Sequence, residues 1–193
     1  MGRLIRRMIQ KKWDGNTQRD AIRLASQTPP QGVEVWEGLP YDEDGHPMHT
    51  LNLYRPAGVS GPLPTVVDIH GGGWMYGDRQ LNRNYCMYLA SRGYAVMGMS
   101  YRLVPEVTVA GQVQDVFASL HWLAEHGAEH GFDLSRVLLT GDSAGGHLTG
   151  LTACVQLSPD LQKLYQVRPL PFSFSALAIA HGVCDVYRFN VLK

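Results

Sequence analysis

The chain has 193 residues, 45% of them hydrophobic, and its 17 basic residues balance its 17 acidic ones. This length suffices for one domain with a real core, and zero formal charge gives no indication of binding to nucleic acid or an anionic membrane surface. No run approaches the roughly 20 apolar residues of a membrane span, and no apolar segment of a secretory signal follows the basic start. The three cysteines lack metal-ligand spacing, which indicates reduced, buried thiols in a cytoplasmic protein and no metal site.

The first 32 residues predict helical structure. Apolar side chains recur at helical spacing on either side of the polar stretch Asp14-Gly15-Asn16, so we expect two short helices that break there. The basic side chains of the first helix are compatible with a membrane surface, although a solvated helix face is the simpler interpretation.

Strands and helices alternate from residue 33 onward. Two antiparallel strands joined by a turn come first, and further strands then alternate with helices: strands at 33–37, 49–54, 65–70, 94–100, 136–140 and 176–181, and helices at 81–92 and 113–126. This alternation predicts a mainly parallel sheet with helices on both faces. The proline-containing stretch 157–175 interrupts the pattern, and we expect an insertion over the functional site there.

Residues 137–148 carry the strongest indication of chemistry. An apolar run precedes the motif Gly141-Asp142-Ser143-Ala144-Gly145, and helical spacing follows it. Glycines two positions before and after a serine permit the sharp strand-to-helix turn that lifts its hydroxyl to the positive end of the helix. Ser143 is therefore predicted to be a nucleophile, and Asp142 is interpreted as structural. The alternative is an ordinary glycine-rich loop.

A second glycine motif, His70-Gly71-Gly72-Gly73-Trp74, follows an earlier apolar strand. Successive glycines let backbone N–H groups point toward one oxyanion. We expect the N–H groups of Gly72, Gly73 and Ala144 to form an oxyanion hole. His70 is expected to hold this loop rather than to act as a base.

The residues around these motifs predict a substrate pocket. Three side chains are expected to contact substrate: Trp74, Tyr76 and His147. Core packing is an equally good interpretation of Trp74 and Tyr76. If Trp74 and Tyr76 do line a pocket, together with Met75, Phe172 and Phe174, that pocket is small and apolar, which favours short acyl chains.

The two glycine motifs resemble those of α/β-hydrolase esterases related to hormone-sensitive lipase. The resemblance also includes the sequence Tyr-Arg-Leu-Val-Pro-Glu at 101–106 and covers roughly residues 33–185. It implies an α/β-hydrolase core over 33–193, a cap contribution from 1–32, and hydrolysis of small-molecule carboxylic esters through an acyl-enzyme without a cofactor. Arg102, Glu106 and Asp115 would then brace the loops of the site.

The resemblance also implies a catalytic acid and histidine, in that order, after two strands beyond the nucleophile. Only residues 144–193 follow Ser143, and His181 and Asp185 occur in the reverse order. We therefore expect a chain that is incomplete at its C-terminal end, or a second chain that supplies the missing strands, acid and histidine.

Three alternatives to a serine esterase stay open at this point. An amidase, formamidase or peptidase would use the same parts. A non-catalytic binding module of this fold would need neither Ser143 nor the glycine loop, and a chain that lacks its acid and base would be an inactive fragment.

Overall fold

The computed structural model describes the backbone of residues 3–185 and the side chains of residue 13 and residues 15–185. Its strands are β1 (Val33–Pro40), β2 (Thr50–Pro56), β3 (Leu63–Ile69), β4 (Ala95–Met99), β5 (Phe132–Asp142) and β6 (Phe174–Ala180). They form one sheet in the order β1-β2-β4-β3-β5-β6. The last four in this order are parallel, whereas β1 and β2 pair antiparallel with their neighbours. The predicted mainly parallel sheet with antiparallel N-terminal strands is confirmed.

Five helices accompany the sheet within the described part of the chain: α1 (Arg3–Ser26), α2 (Arg83–Ser91), α3 (Val109–His126), α4 (Ala144–Leu157) and α5 (Pro159–Tyr165). Adjacent strand residues face opposite sides of the sheet. Val66 accordingly packs with the buried residues of α2, and Val67 with those of α3 and α4. Helices therefore cover both faces, as predicted. None of the helices within residues 3–185 is long and apolar enough to cross a membrane.

The N-terminal segment is one helix, so the expectation of two helices that break at Asp14-Gly15-Asn16 is wrong. A single glycine costs a helix only about 1 kcal/mol relative to alanine. The Thr17 hydroxyl donates to the carbonyl of Trp13, 3.0 Å away, across the expected break. Trp13 and Asp20, on either side of Gly15, both contact Tyr76, and these contacts favour a helix that continues through Gly15. The apolar and basic side chains of residues 3–12 lie outside the described residues.

The stretch 157–175 does not lie over Ser143. It follows the C-terminal end of α4. That end lies about 20 Å from Ser143 at the start of the helix, because each helical residue adds about 1.5 Å. The Gln156 amide donates to the carbonyls of Leu170 and Phe172 there, at 3.2 and 3.3 Å. The apolar side chains of these two residues are buried in the core, so the segment packs against the core at that end of α4. Phe172 therefore does not belong to a pocket at Ser143.

β6 is an edge strand of the described sheet. Leu177 is 43% exposed and Ile179 is 40% exposed, although both are apolar. This edge of the described sheet is therefore partly apolar.

The cysteines only partly match the expectation of buried thiols. Cys86 of α2 is buried, but Cys154 and Cys184 are exposed. Cys154 occupies a solvent-facing position of α4, and Cys184 follows the edge strand, so neither reaches the core.

Truncation of a buried side chain in β5 should lower the stability of the fold. Leu139 is fully buried in β5, and we expect Leu139→Ala to lower the free energy of unfolding by about 2–5 kcal/mol because it leaves a cavity. The matched control is Leu164→Ala, which alters a side chain that is 71% exposed and should change stability by less than about 0.5 kcal/mol. Urea denaturation measures both. Equal effects would contradict this packing.

Candidate active site

Ser143 lies on the sharp turn between β5 and α4. Its φ of 51° and ψ of −113° are strained for a residue other than glycine. Two hydrogen bonds hold the turn: the Ser143 N–H donates to the Ala180 carbonyl at 2.9 Å, and the His147 N–H donates to the Ser143 carbonyl at 3.1 Å. This is the geometry of a nucleophile elbow.

Gly145 lets the start of α4 approach the end of β3. A Cβ atom at this position would overlap the backbone carbonyl oxygen of Ile69. Backbone cannot yield as a flexible side chain does, so the turn requires glycine here. The approach places the N-terminus of α4 directly beside the start of the glycine loop.

The glycine loop follows β3 at residues 70–73. Gly72 has a φ of +118°, and a Cβ atom there would overlap the carbonyl oxygen of Tyr76. The loop is joined to the elbow by one hydrogen bond, in which the Gly71 N–H donates to Asp142 Oδ1 at 2.9 Å. Asp142 therefore connects the two glycine motifs. This is a structural role, and its partner is one that the sequence did not indicate.

The three predicted oxyanion donors share one property in the described part of the chain. Within residues 3–185, the backbone N–H groups of Gly72, Gly73 and Ala144 have no hydrogen-bond acceptor. Parallel pairing of Ile69 with Gly141 ends β3 and β5 at the same edge of the sheet, so the loop and the helix N-terminus begin side by side. Such groups are ready to bind a developing negative charge.

His70 holds the base of the loop. Its Nδ1 lies 2.7 Å from the Gly71 carbonyl oxygen, which can only accept, so Nδ1 carries the proton. The ring stacks on Tyr101 with centroids 4.3 Å apart, and the Tyr101 hydroxyl donates to the His70 carbonyl at 2.9 Å. Burial lowers the pKa of His70 and keeps the ring neutral.

Trp74 and His147 meet beside the elbow. The Trp74 indole N–H donates to His147 Nδ1 at 3.2 Å. Because an indole N–H cannot accept, the neutral imidazole carries its own proton on Nε2. Burial lowers the pKa of His147, so this neutral form is favoured. A ring with both nitrogens committed in this way is poorly suited to take the Ser143 proton.

Tyr76 connects the glycine loop to α1. Its ring stacks on Trp13 at a centroid distance of 5.5 Å, and its hydroxyl donates to Asp20 Oδ2 at 2.7 Å. Burial and this hydrogen bond raise the pKa of Tyr76 to about 12. The edge of Trp13 also packs against Gly73. α1 therefore forms a wall of the loop.

Charged side chains brace the neighbouring loop at 101–106. The Arg102 guanidinium donates to Asp115 at 2.6 Å, and the buried His49 ring lies between Asp44 and Asp115. The Glu106 carboxylate pairs with His46 at 2.8 Å. These contacts fit the bracing role that the resemblance implied.

None of the histidines in residues 3–185 is hydrogen-bonded to the Ser143 hydroxyl. His70 and His147 have the partners given above. His181 is exposed and directly follows β6, while the Val183 N–H two residues later donates to the Ser143 carbonyl at 3.4 Å. The described part of the chain therefore holds Ser143 and the predicted oxyanion donors without a base beside the serine.

Sequence reasoning missed Asp68 and Asn82. Asp68 is 3% exposed on β3, and burial raises its pKa to about 7. The Asn82 amide donates to the carboxylates of Asp68 and Asp142. The available signal was a lone aspartate inside the apolar run at 65–69.

Comparison with known proteins places this site in a family. The model of the BD-FAE family matches residues 51–191, and that range contains both glycine motifs. The chain belongs to the BD-FAE family. It is an esterase-type α/β-hydrolase chain like those related to hormone-sensitive lipase, which confirms the resemblance seen in the sequence.

Two solved structures and one curated protein to which this BD-FAE chain is similar are esterases. Esterase B from Lactobacillus rhamnosis is 50% identical with a TM-score of 0.93 over 95% of this chain and 60% of its own. A bacterial heroin esterase is 28% identical with a TM-score of 0.67 over 84% of this chain and 49% of its own. Carboxylesterase NlhH from Mycobacterium tuberculosis is 37% identical over 61% of this chain and 37% of its own length.

The chain thus spans about 60% of esterase B and about 37% of NlhH. In esterase B the matched region is part of one longer chain. The comparison therefore gives no support to a second chain that supplies the remaining strands.

Buried Asp68 should make stability depend on pH. Its pKa is raised from 3.8 to about 7, so between these values the folded protein holds a proton that the unfolded chain has released. The free energy of unfolding should therefore fall as the pH rises from about 4 to about 7. Asp68→Asn cannot titrate, and its stability relative to the unchanged protein should rise across this window by up to about 4 kcal/mol.

Urea denaturation at several pH values measures this difference. Asp160→Asn alters an exposed carboxylate of α5 and is the control, which should follow the unchanged protein. Parallel curves for Asp68→Asn and the unchanged protein would show that Asp68 does not titrate in this range.

Proposed function

We propose that the protein is a serine carboxylesterase that cleaves small-molecule esters through an acyl-enzyme on Ser143. The observation that carries the proposal is the junction of the two glycine motifs. Asp142 joins the glycine loop to the elbow. The N–H groups of Gly72, Gly73 and Ala144, which have no acceptor within residues 3–185, lie next to that junction in the chain. A non-catalytic binding module would need neither the strained serine nor these donors.

The reaction would begin with attack of the Ser143 oxygen on the ester carbonyl carbon. The carbonyl oxygen gains negative charge in this step, and the N–H groups of Gly72, Gly73 and Ala144 would donate hydrogen bonds to it. One such donor is typically worth about 3 kcal/mol of the barrier. Collapse of the intermediate would release the alcohol and leave the acyl group on Ser143, and water would then release the acid.

A base must accept the Ser143 proton, and an acid must orient that base. We infer that both come from outside residues 3–185, because the fold orders its triad as serine, acid and histidine. The relatives extend beyond the matched region, which leaves length for the two groups. His147 would contact substrate rather than act as the base, since its Nδ1 accepts from Trp74.

The acyl pocket would be small. Trp74 and His147 meet at right angles beside the elbow and would limit its length. α1 would contribute to the cap, because Trp13 covers Gly73, and a cavity of about 230 Å³ separates α1 from the loop at Gly71 and Gly72. Esterase B has been crystallised with a C4-C4 tributyrin phosphonate. We therefore propose short acyl esters as substrates, with Tyr76 positioning the cap.

Replacement of the nucleophile tests the reaction. In the protein of full length, Ser143→Ala should lower kcat/KM for p-nitrophenyl butyrate by at least about 10³-fold and abolish labelling by a fluorophosphonate. Ser91→Ala alters an exposed serine of α2 and should leave both unchanged. Undiminished turnover in Ser143→Ala would reject Ser143 as the nucleophile.

A panel of esters and one amide tests the substrate class. We expect kcat/KM to be greatest for acetyl and butyryl p-nitrophenyl esters and to fall steeply beyond about eight carbons, because Trp74 and His147 close the pocket. Turnover of the long-chain esters alone would contradict a small pocket. Faster turnover of the p-nitroanilide than of the matching ester would favour an amidase.

A further inference from the structure

Asn82 occupies the N-cap position of α2, yet its side chain does not cap the helix. Asparagine is among the best N-cap residues, and a side-chain cap typically contributes about 1 kcal/mol. The Asn82 amide instead points to the sheet. Its Nδ2 lies 3.1 Å from Asp68 Oδ2 and 3.0 Å from Asp142 Oδ1. The two hydrogens of one amide are therefore donated to two carboxylates, and α2 lacks the side-chain cap that Asn82 would otherwise provide.

Asp142 is the group through which this amide reaches the glycine loop. Its Oδ1 accepts from Asn82 and from the Gly71 N–H, at 3.0 and 2.9 Å. The approach is tight, since a Cβ atom at Gly71 would overlap the Asp142 carboxylate. Asp142 directly precedes Ser143, so its orientation determines where the loop lies relative to the nucleophile.

The position between Asp68 and Asp142 favours an uncharged side chain that can donate two hydrogen bonds. Asp68 is almost completely buried, and the charge of Asp142 acts on it. Two neighbouring carboxylates repel each other, and a buried carboxylate without a donor is costly. An amide that donates one hydrogen to each holds both without adding charge. An apolar side chain in its place would leave both acceptors without this partner.

We propose that Asn82 is a positioning residue of the oxyanion hole: its amide holds the Asp142 carboxylate on the Gly71 N–H and so fixes Gly72 and Gly73 against Ser143. The catalytic part of this proposal rests on the proposed esterase function. The structural part, that Asn82 orders the loop, concerns the hydrogen bond of Gly71 alone and has its own measurement.

The test compares Asn82→Leu with Asn84→Leu in the protein of full length. Asn84 lies two residues further along α2, and its amide donates to Gln27 Oε1 on the exposed surface. For Asn82→Leu we expect kcat for p-nitrophenyl butyrate to fall by about 10- to 100-fold with KM changed by less than about twofold, because a displaced donor loses transition-state stabilisation. Exchange of the Gly71 amide hydrogen, followed by NMR, should be at least about tenfold faster. Asn84→Leu should change neither.

A second variant, Asn82→Asp, keeps the side-chain shape and guards against loss of folding in Asn82→Leu. It places a third carboxyl group between Asp68 and Asp142, and only its protonated form can donate to one of them. The ratio of its kcat to that of the unchanged protein should therefore rise as the pH falls from 8 to 6. Gly71 exchange, corrected for the intrinsic effect of pH, should slow over the same range.

The two readouts separate the two proposals. Accelerated Gly71 exchange with unchanged kcat in Asn82→Leu would overturn the positioning role, as would unchanged exchange in both Asn82 variants. If the unchanged protein hydrolyses none of the esters, the proposed function fails. Gly71 exchange would then still decide whether Asn82 orders the loop.

Discussion

Strands β3 and β5 run in parallel, and the pairing of Ile69 with Gly141 brings both to an end at the same edge of the sheet. The features of the site depend on this register. Beyond this pair, the chain leaves β3 at His70 to form the glycine loop and leaves β5 at Ser143 to form the elbow. Gly145 brings α4 onto the Ile69 carbonyl, and Asp142 accepts the Gly71 N–H. A shift by one residue would turn these side chains to the opposite face and separate the loop from Ser143.

Neighbouring elements hold the backbone of Ser143 in its strained conformation. Its positive φ costs on the order of 1–3 kcal/mol, and its backbone is held by Ala180 of β6 and by His147 of α4. The edge strand therefore contributes to the site although most of its own residues are exposed. Within the described residues, the Ala144 N–H at the start of α4 has no acceptor, which is costly for folding and useful for binding an oxyanion.

Short-range signals in the sequence predicted the parts of the fold that depend on local geometry. The glycine spacing around Ser143 predicted the elbow, and alternation of apolar strands with helical periodicity predicted the parallel sheet. Long-range contacts were not predictable in this way. The continuity of α1 through Gly15 depends on Trp13 and Asp20, which meet Tyr76 from a distant part of the chain.

The course of residues 157–175 and the role of Asp142 also depend on long-range contacts. Leu170 and Phe172 turn that segment into the core, and prolines alone reveal only that regular structure is interrupted. Strand alternation indicates which face a side chain leaves from, but at the end of a strand it does not reveal what the side chain reaches. The carboxylate of Asp142 meets a backbone N–H that lies 71 residues earlier in the chain.

A crystal structure of the full-length protein with a butyl phosphonate bound covalently would test the central claim most directly. The account predicts phosphorus on Ser143 Oγ, with the phosphonyl oxygen about 2.7–3.1 Å from the N–H groups of Ala144 and of Gly72 or Gly73. It also predicts that the bond between Gly71 and Asp142 is retained. A phosphonyl oxygen that points away from the glycine loop, or phosphorus on another residue, would contradict it.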